Sequence, residues 1–396
     1  MSRNITPRVV AIVWTLRVLI GAVFVISGMA KMIDVWGFVY KIEQYLNVWS
    51  WPQPRALVVG GAVALSAVEF LLGWFLVTGC YKRVTVWAMS LVMAFMLPLT
   101  FYIMVANPVS DCGCFGDFIV ISNSATFIKN ILIAAGLVYL WRYNYHVSGM
   151  FTRYSQWLVG FLALVYAVVV GIIGYNFQPM IDFRPYPVGK SLLASQEETG
   201  DDAVSFIYEK DGQSKEFSAE ELPDSTWTFV ERVEAAVSDD DRQLTIYDGD
   251  DDVTYDVIST EGTQLVVLIP DLKNVDASST YLINDMNRYV SSHGGNMIAV
   301  LATDDRGVEL WRDFSMASYD IFTAEDTAIK EVARGNVAVV CIKDGIVEWK
   351  RTLSSIDGDS FASDADGLLD NLNYSGTGLF WFLTLLFLGA ELVVWA

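Results

Sequence analysis

The sequence predicts an all-α bundle of six membrane-spanning helices joined to a separate α/β domain on its outer side. Three observations predict it. First, six apolar runs, 9–28, 56–78, 84–105, 125–141, 157–176 and 378–396, approach the roughly 20 residues that a helix needs to cross a bilayer. Second, charge divides along a chain of 396 residues that is 53% hydrophobic with a net charge of −20. Residues 1–179 hold 11 Lys/Arg and 5 Asp/Glu, a net +6, whereas residues 180–396 hold 15 and 41, a net −26. Third, strand-like and helix-like stretches alternate through 244–350, as in a small α/β domain. A fully soluble protein is excluded, and so is nucleic-acid binding by the acidic half, which phosphate repels.

In lipid each apolar run must be helical, because only a helix satisfies its own amides there. The run 125–141 is short, and 378–396 carries Glu391. Arg3, Arg8 and the small residues Gly28-Met29-Ala30 give the first run some features of a signal peptide. It is too long for a signal core and has Arg17 in its middle, so it is read as a retained helix. Lys/Arg in short loops mark the cytoplasmic side. Arg3 and Arg8, Lys82-Arg83, and Arg142 with Arg153 fall at alternate ends, while the loop 107–123 has no Lys or Arg and faces outward. The same parity puts 177–376 in the periplasm of a bacterial inner membrane. The segment 29–55, with Lys31, Lys41 and Arg55 among Trp36, Phe38, Tyr40, Tyr45, Trp49 and Trp51, reads as an amphipathic piece at the lipid–water boundary.

Outside the membrane, Asp182-Phe183-Arg184-Pro185-Tyr186-Pro187 makes a stiff exit. Strands are expected at 204–209 and 215–217 around an Asp211-Gly212 turn, then a helix at 227–237. There follow strands at 244–247 and 264–269, a helix at 278–290, a strand at 297–302, and a helix at 326–334. Strands at 337–342 and 347–350 flank Asp344-Gly345, an order that suits a thioredoxin-like sheet. The Ser/Asp/Gly-rich 353–373 is expected to tether this domain back to the bilayer.

Four cysteines occur: Cys80, Cys112, Cys114 and Cys341. Cys80 lies beside Lys82-Arg83 on the reducing side, and Cys341 lies in an apolar strand where a free thiol behaves as a small hydrophobe. The other two form Asp111-Cys112-Gly113-Cys114-Phe115-Gly116-Asp117 in the outward loop. A disulfide between them closes a very small ring, which Gly113 permits. Such a strained bond is expected to be more oxidising than a structural one. The following helix, with Asn123 or Ser124 as its cap, favours a thiolate through its amino end, whereas Asp111 and Asp117 disfavour one. Cys112 and Cys114 are therefore the candidate catalytic residues of a redox pair, with a structural loop brace as the alternative.

Zinc wants four ligands, and His146 and His293 are the two histidines, so no metal or haem is expected. Charged groups inside apolar runs invite explanation. Arg17 and Glu69 are expected to pair, and Lys31 and Lys129 to snorkel at the outer ends. If a membrane quinone binds near Cys112, then Arg17, Lys31, Glu69 and Lys129 are its candidate binding residues. The acidic run Asp248-Gly249-Asp250-Asp251-Asp252 fails the EF-hand pattern, because Val253 and Ser259 stand where Gly and Glu are required.

The residues Ser27-Gly28-Met29-Ala30-Lys31, then Asp34, Gly37 and Tyr45, then Cys112-Gly113-Cys114-Phe115-Gly116, resemble the DoxX/MauE family of membrane proteins over about 9–141. The longer layout is similar to DoxX-family proteins of Bacteroidota. This resemblance implies a four-helix DoxX/MauE-like core at 1–145, a fifth membrane helix at 146–179 and a periplasmic linker at 180–243. It also implies thiol–disulfide or quinone-linked electron-transfer work at Cys112 and Cys114. A thioredoxin-like domain at 244–352, a tether at 353–376 and a last membrane helix at 377–396 complete the layout. The thioredoxin-like domain departs from that fold's redox pattern, since the loop Pro270-Asp271-Leu272-Lys273-Asn274 has no cysteine and Asn336-Val337 replaces its proline. Two functions follow as expectations. One is electron exchange between a periplasmic client protein and a quinone. The other is a non-enzymatic assembly protein whose outer domain binds envelope partners; a solute transporter draws only on Arg17 and Glu69.

Overall fold

The structure, a computed structural model, describes residues 6–52, 54–109, 112–119, 121–193, 204–210, 213–218, 228–234, 244–362, 367–373 and 376–396. It divides into two compact units, Met1–Phe183 with Ser375–Ala396, and Arg184–Tyr374. Within the first, α1 (Pro7–Ile33) opens on a proline, whose missing N–H costs nothing in a first turn. The Asp34 carboxylate then accepts from Gly37 N at 2.8 Å and starts α2 (Val35–Val48). Next come α3 (Arg55–Thr78), which ends at Gly79 in the left-handed region, and α4 (Lys82–Ala106). The chain continues through α5 (Asn123–Tyr143) and α6 (Gln156–Asn176).

Small residues set how α1 meets α3. A Cβ on Gly28 would lie 2.4 Å from Phe70 N, and one on Gly73 would lie 2.8 Å from Gly21 O. The helices thus touch backbone to backbone, the way membrane helices pack without a hydrophobic driving force. The segment 29–55, read as interfacial, is divided between the end of α1 and α2. Val35, Trp36, Phe38 and Val39 are buried with Val58 and Ala62 of α3, while Gln44 and Asn47 stay exposed.

In the second unit, β1 (Val204–Lys210), β2 (Gln213–Ser218) and β3 (Thr228–Glu234) form a sheet in the order β2-β1-β3. The helix expected at 227–237 is corrected here to a strand, since β3 pairs antiparallel with β1 from Val204↔Glu234 to Glu209↔Thr228. Its Thr, Phe and Val content favours a pleated strand, and pairing overrides the helical period. The expected turn at Asp211-Gly212 lies outside the described residues, as do Arg3, Asp111 and the Asp117 side chain.

A larger sheet follows. The strand expected at 244–247 narrows to β4 (Tyr247–Asp248), which forms an acidic hairpin with β5 (Asp251–Asp252). The Asp252 carboxylate accepts from Thr254 Oγ1 and Thr254 N at the start of α7 (Thr254–Val257), bonds that hold it below the usual carboxylate range. Then come β6 (Thr263–Ile269), α8 (Ala277–Ser292) and β7 (Asn296–Leu301). A helix, α9 (Asp305–Ser315), and a strand, β8 (Asp320–Thr323), fill the stretch the sequence left unassigned. Asp304 caps α9 by accepting from Gly307 N at 2.9 Å. After α10 (Asp326–Val332) the chain adds β9 (Ala338–Lys343) and β10 (Ile346–Thr352).

The strand order is β10-β9-β6-β7-β8-β4-β5, with β6, β7 and β8 parallel and β9 antiparallel to β6. Leu265, Val267 and Ile269 pack with Ile283, Met286 and Trp311, while Val266 and Leu268 pack with Ile246, Ile329 and Val332. Burial on both faces explains why β6 reads as an unbroken apolar run. Leu268→Ala is expected to destabilise this unit by about 2–5 kcal/mol, read as lost hydrogen-exchange protection of β6 and β7.

The segment expected to be a plain tether contributes to this core. Leu353, Ile356 and Phe361 are buried in it, the last on α11 (Gly358–Ala362), and α12 (Leu368–Asn371) packs Leu368 and Leu369 beside them. The chain then enters α13 (Gly376–Trp395) of the first unit, where Phe387 stacks on Tyr166. Among the described residues, six helices are long and apolar enough to cross a membrane.

Candidate functional site

The α1–α3 contact fixes what meets inside the bundle. Side chains on a helix lean toward its amino end, and α1 and α3 are antiparallel neighbours, so Lys31 and Glu69 lean toward each other. Lys31 Nζ lies 2.7 Å from Glu69 Oε2 and 2.9 Å from Oε1, with Lys31 only 2% exposed and Glu69 4%. This corrects two expectations: Lys31 does not snorkel, and Glu69 does not pair with Arg17. Arg17 lies at the other end of the bundle, where it donates to Asn144 Oδ1 at 2.7 Å and to the carbonyls of Asn144, Val147 and Ser148. Buried there at 0% exposure, it satisfies the backbone turn after α5.

Ser27, one turn before Lys31, links this ion pair to the cysteine loop. Its Oγ lies 2.8 Å from Glu69 Oε2 and 2.6 Å from the Cys114 carbonyl oxygen. Both are acceptors and a hydroxyl has one proton, so Ser27 donates to one of them at a time. Cys112 and Cys114 are joined as a disulfide with Gly113 between them at φ 67°. The Lys41 stem lies over Gly113, where a Cβ would meet its Cγ at 2.6 Å. Tyr45 Oη donates to the Cys112 carbonyl at 3.1 Å.

A 3-10 turn, Gly116–Phe118, leads toward α5. The cap is Ser122, whose hydroxyl accepts from Ala125 N at 3.4 Å, rather than Asn123 or Ser124. Asn123 is occupied otherwise, donating to Asn107 Oδ1 at 2.8 Å and to Val109 O at 3.0 Å, which pins the two ends of the loop together. Nearly two turns into α5, Lys129 places its Nζ 4.5 Å from the centre of the Phe115 ring.

These groups border one cavity of about 40 Å³, lined by Ser27, Lys31, Glu69, Cys114, Lys129 and Asn130 together with apolar residues of α1 and α4. Of the four candidate cofactor residues, Lys31, Glu69 and Lys129 are brought together with Cys114, and Arg17 is not. A water needs about 10–15 Å³, so this cavity takes a few waters. An apolar groove of about 500 Å³ between α4 and α5 is of ligand size and shares Met93 with the polar cavity. Sequence reasoning missed Ser27 as a site residue, although its position four residues before Lys31 puts both on one helix face.

The remaining cysteines stand apart. Cys80 is 1% exposed and Cys341 2% exposed. Burial pushes the Cys341 thiol up to about 12, with Glu348 adding to the shift, so it supplies almost no thiolate. Both thiols are expected to resist maleimide in the native chain and to label only after unfolding, whereas reduced Cys112 and Cys114 label without it. Among the described residues no group of three His, Cys, Asp or Glu is placed to hold a metal ion.

Residues 9–142 match the family described as Methylamine utilisation protein MauE. The membrane unit is MauE-like. The match runs from α1 to the last turn of α5, so the ion pair, the Cys112–Cys114 loop and Lys129 all fall inside the MauE-like portion, and α6 and α13 lie outside it. Together with the apolar helices it makes this a membrane protein. Residues 203–238 match a second family, described as Domain of unknown function (DUF8463), which spans the β1–β3 sheet. No curated protein and no solved structure matches the chain.

Proposed function

We propose that this chain is an inner-membrane thiol–disulfide exchange protein whose Cys112–Cys114 disulfide takes electrons from a client dithiol on the periplasmic side. The observation that carries this reading is the placement of Cys114 on a cavity that also holds a buried Lys31–Glu69 pair and Lys129. Ionisable groups inside a membrane bundle are costly and are retained for function, and here they sit against the one disulfide among the described residues. The MauE-like match supports the same reading.

A membrane quinone is the acceptor we propose for returning the pair to the disulfide. The apolar groove between α4 and α5, which shares Met93 with the polar cavity, is of a size to take its ring.

The Arg184–Tyr374 unit is read as thioredoxin-like, a reading supported by the order β10-β9-β6-β7 with β9 antiparallel. Its loop after β6 has no cysteine and Cys341 is sealed in the sheet, so its part is to recruit the client rather than to exchange electrons. The rival scaffold reading draws on the exposed Tyr281, Leu310, Phe314 and Met316 of α8, α9 and the following turn.

Thiol trapping of the purified full chain separates the two readings. Incubation with a small dithiol is expected to open the pair, and a quinone analogue is expected to close it again. A pair that stays oxidised throughout, with partner binding intact in Cys112→Ser, leaves only the scaffold.

A further inference from the structure

Cys112 and Cys114 are two residues apart, yet their surroundings differ. Cys114 lines the polar cavity and Cys112 does not. Within that cavity Lys31 and Glu69 cancel at 2.7 Å. Among the described lining residues this leaves a net positive charge from Lys129, whose Nζ lies over the ring of Phe115, the residue that follows Cys114. A nearby cation favours a thiolate, and a sulfur that is stabilised as thiolate leaves faster in disulfide exchange. Cys112 does not line that cavity; its carbonyl is held by Tyr45 of α2, and the Lys41 stem of the same helix packs over Gly113 between the two cysteines.

From this asymmetry we infer that the two sulfurs have fixed roles: Cys112 Sγ receives the incoming client thiolate, and Cys114 Sγ departs as a thiolate stabilised by the Lys129 ammonium. The assignment rests on the exchange reading above. A client thiolate forms a new bond to Cys112 Sγ as the Cys112–Cys114 bond breaks, and the bonding pair goes to Cys114 Sγ. The client's second thiolate then attacks the client sulfur of the mixed disulfide, closes the client's disulfide and releases Cys112 as a thiolate. The client loses two electrons and two protons, and the Cys112–Cys114 pair gains both.

In this assignment Lys129 acts on the departing sulfur through its charge, and Ser27, whose hydroxyl lies 2.6 Å from the Cys114 carbonyl oxygen, is a positioning residue. The charged groups that face Cys114 across the cavity are Lys31 and Glu69 from α1 and α3, and Lys129 from α5.

The test uses the full chain in detergent with iodoacetamide as the thiol probe. Cys114 in Cys112→Ser is expected to label with a half-point about one pH unit or more below that of Cys112 in Cys114→Ser. In Cys112→Ser, adding Lys129→Met is expected to raise the half-point of iodoacetamide labelling of Cys114 by about one pH unit, and Lys129→Arg to restore it. Equal or reversed half-points for the two sulfurs, or a Cys114 half-point indifferent to Lys129→Met, overturn the assignment. If the wild-type pair instead never opens under a dithiol, the exchange reading fails and takes the assignment with it.

Discussion

Replacing Lys31 with Met, or Glu69 with Gln, is expected to destabilise the bundle by about 3–5 kcal/mol, because each leaves a buried charge without its partner. At exposures of 2% and 4% the pair is cut off from bulk solvent, with only the few waters of the small cavity beside it. The double variant Lys31→Met/Glu69→Leu is expected to recover most of that loss, since an apolar pair of similar volume avoids the desolvation cost. Thermal unfolding of the three variants in detergent reads this directly. The double variant is also informative about function: a bundle restored in stability but slow in opening Cys112–Cys114 shows that the pair is kept for chemistry. Single variants that cost less than about 1 kcal/mol, the usual value for an exposed pair, would place the pair in contact with water.

Gly28→Val is the second large effect. The added Cβ would sit 2.4 Å from Phe70 N and 2.7 Å from Ser66 O. Both are backbone atoms, which cannot rotate away as a side chain can. The helices must separate, at a cost of about 3 kcal/mol, the upper part of the usual overpacking range. Because that separation also draws Lys31 away from Glu69 and Ser27 away from Cys114, opening of the Cys112–Cys114 bond is expected to slow together with the loss of stability. Gly60→Ala and Gly61→Ala provide the control, for an added Cβ there meets nothing within 4 Å. These are expected to be neutral or to stabilise α3 by about 0.5–1 kcal/mol.

The helices of the membrane unit were legible because lipid imposes one solution on a long apolar run. The Arg17–Glu69 pairing was misread because a run shows where its middle lies but not how two helices are offset. The offset is encoded in Gly21, Gly28 and Gly73, the positions of close approach, and those place Glu69 beside Ser27 and Lys31. Lys31 looked like an end-of-helix cation only because the apolar run was taken to stop at Gly28, whereas α1 continues to Ile33. In the outer unit, β6 and β9 were legible as apolar runs. Helix α9 was not, because Val308, Trp311 and Ser315 are its few inward residues among charged ones. The Cys112–Cys114 pair was visible from spacing and its surroundings were not, since Lys129 and Glu69 reach it from distant parts of the chain.

The loop that carries the sulfurs is gripped by its main chain. Ser27 reaches the Cys114 carbonyl and Tyr45 reaches the Cys112 carbonyl; neither grip involves sulfur. Cutting the bond between the sulfurs removes no atom of either handhold. In the proposed exchange the sulfurs trade partners on short side chains while the frame beneath them keeps its hold, so each turnover begins from the same pose without a fresh search for it.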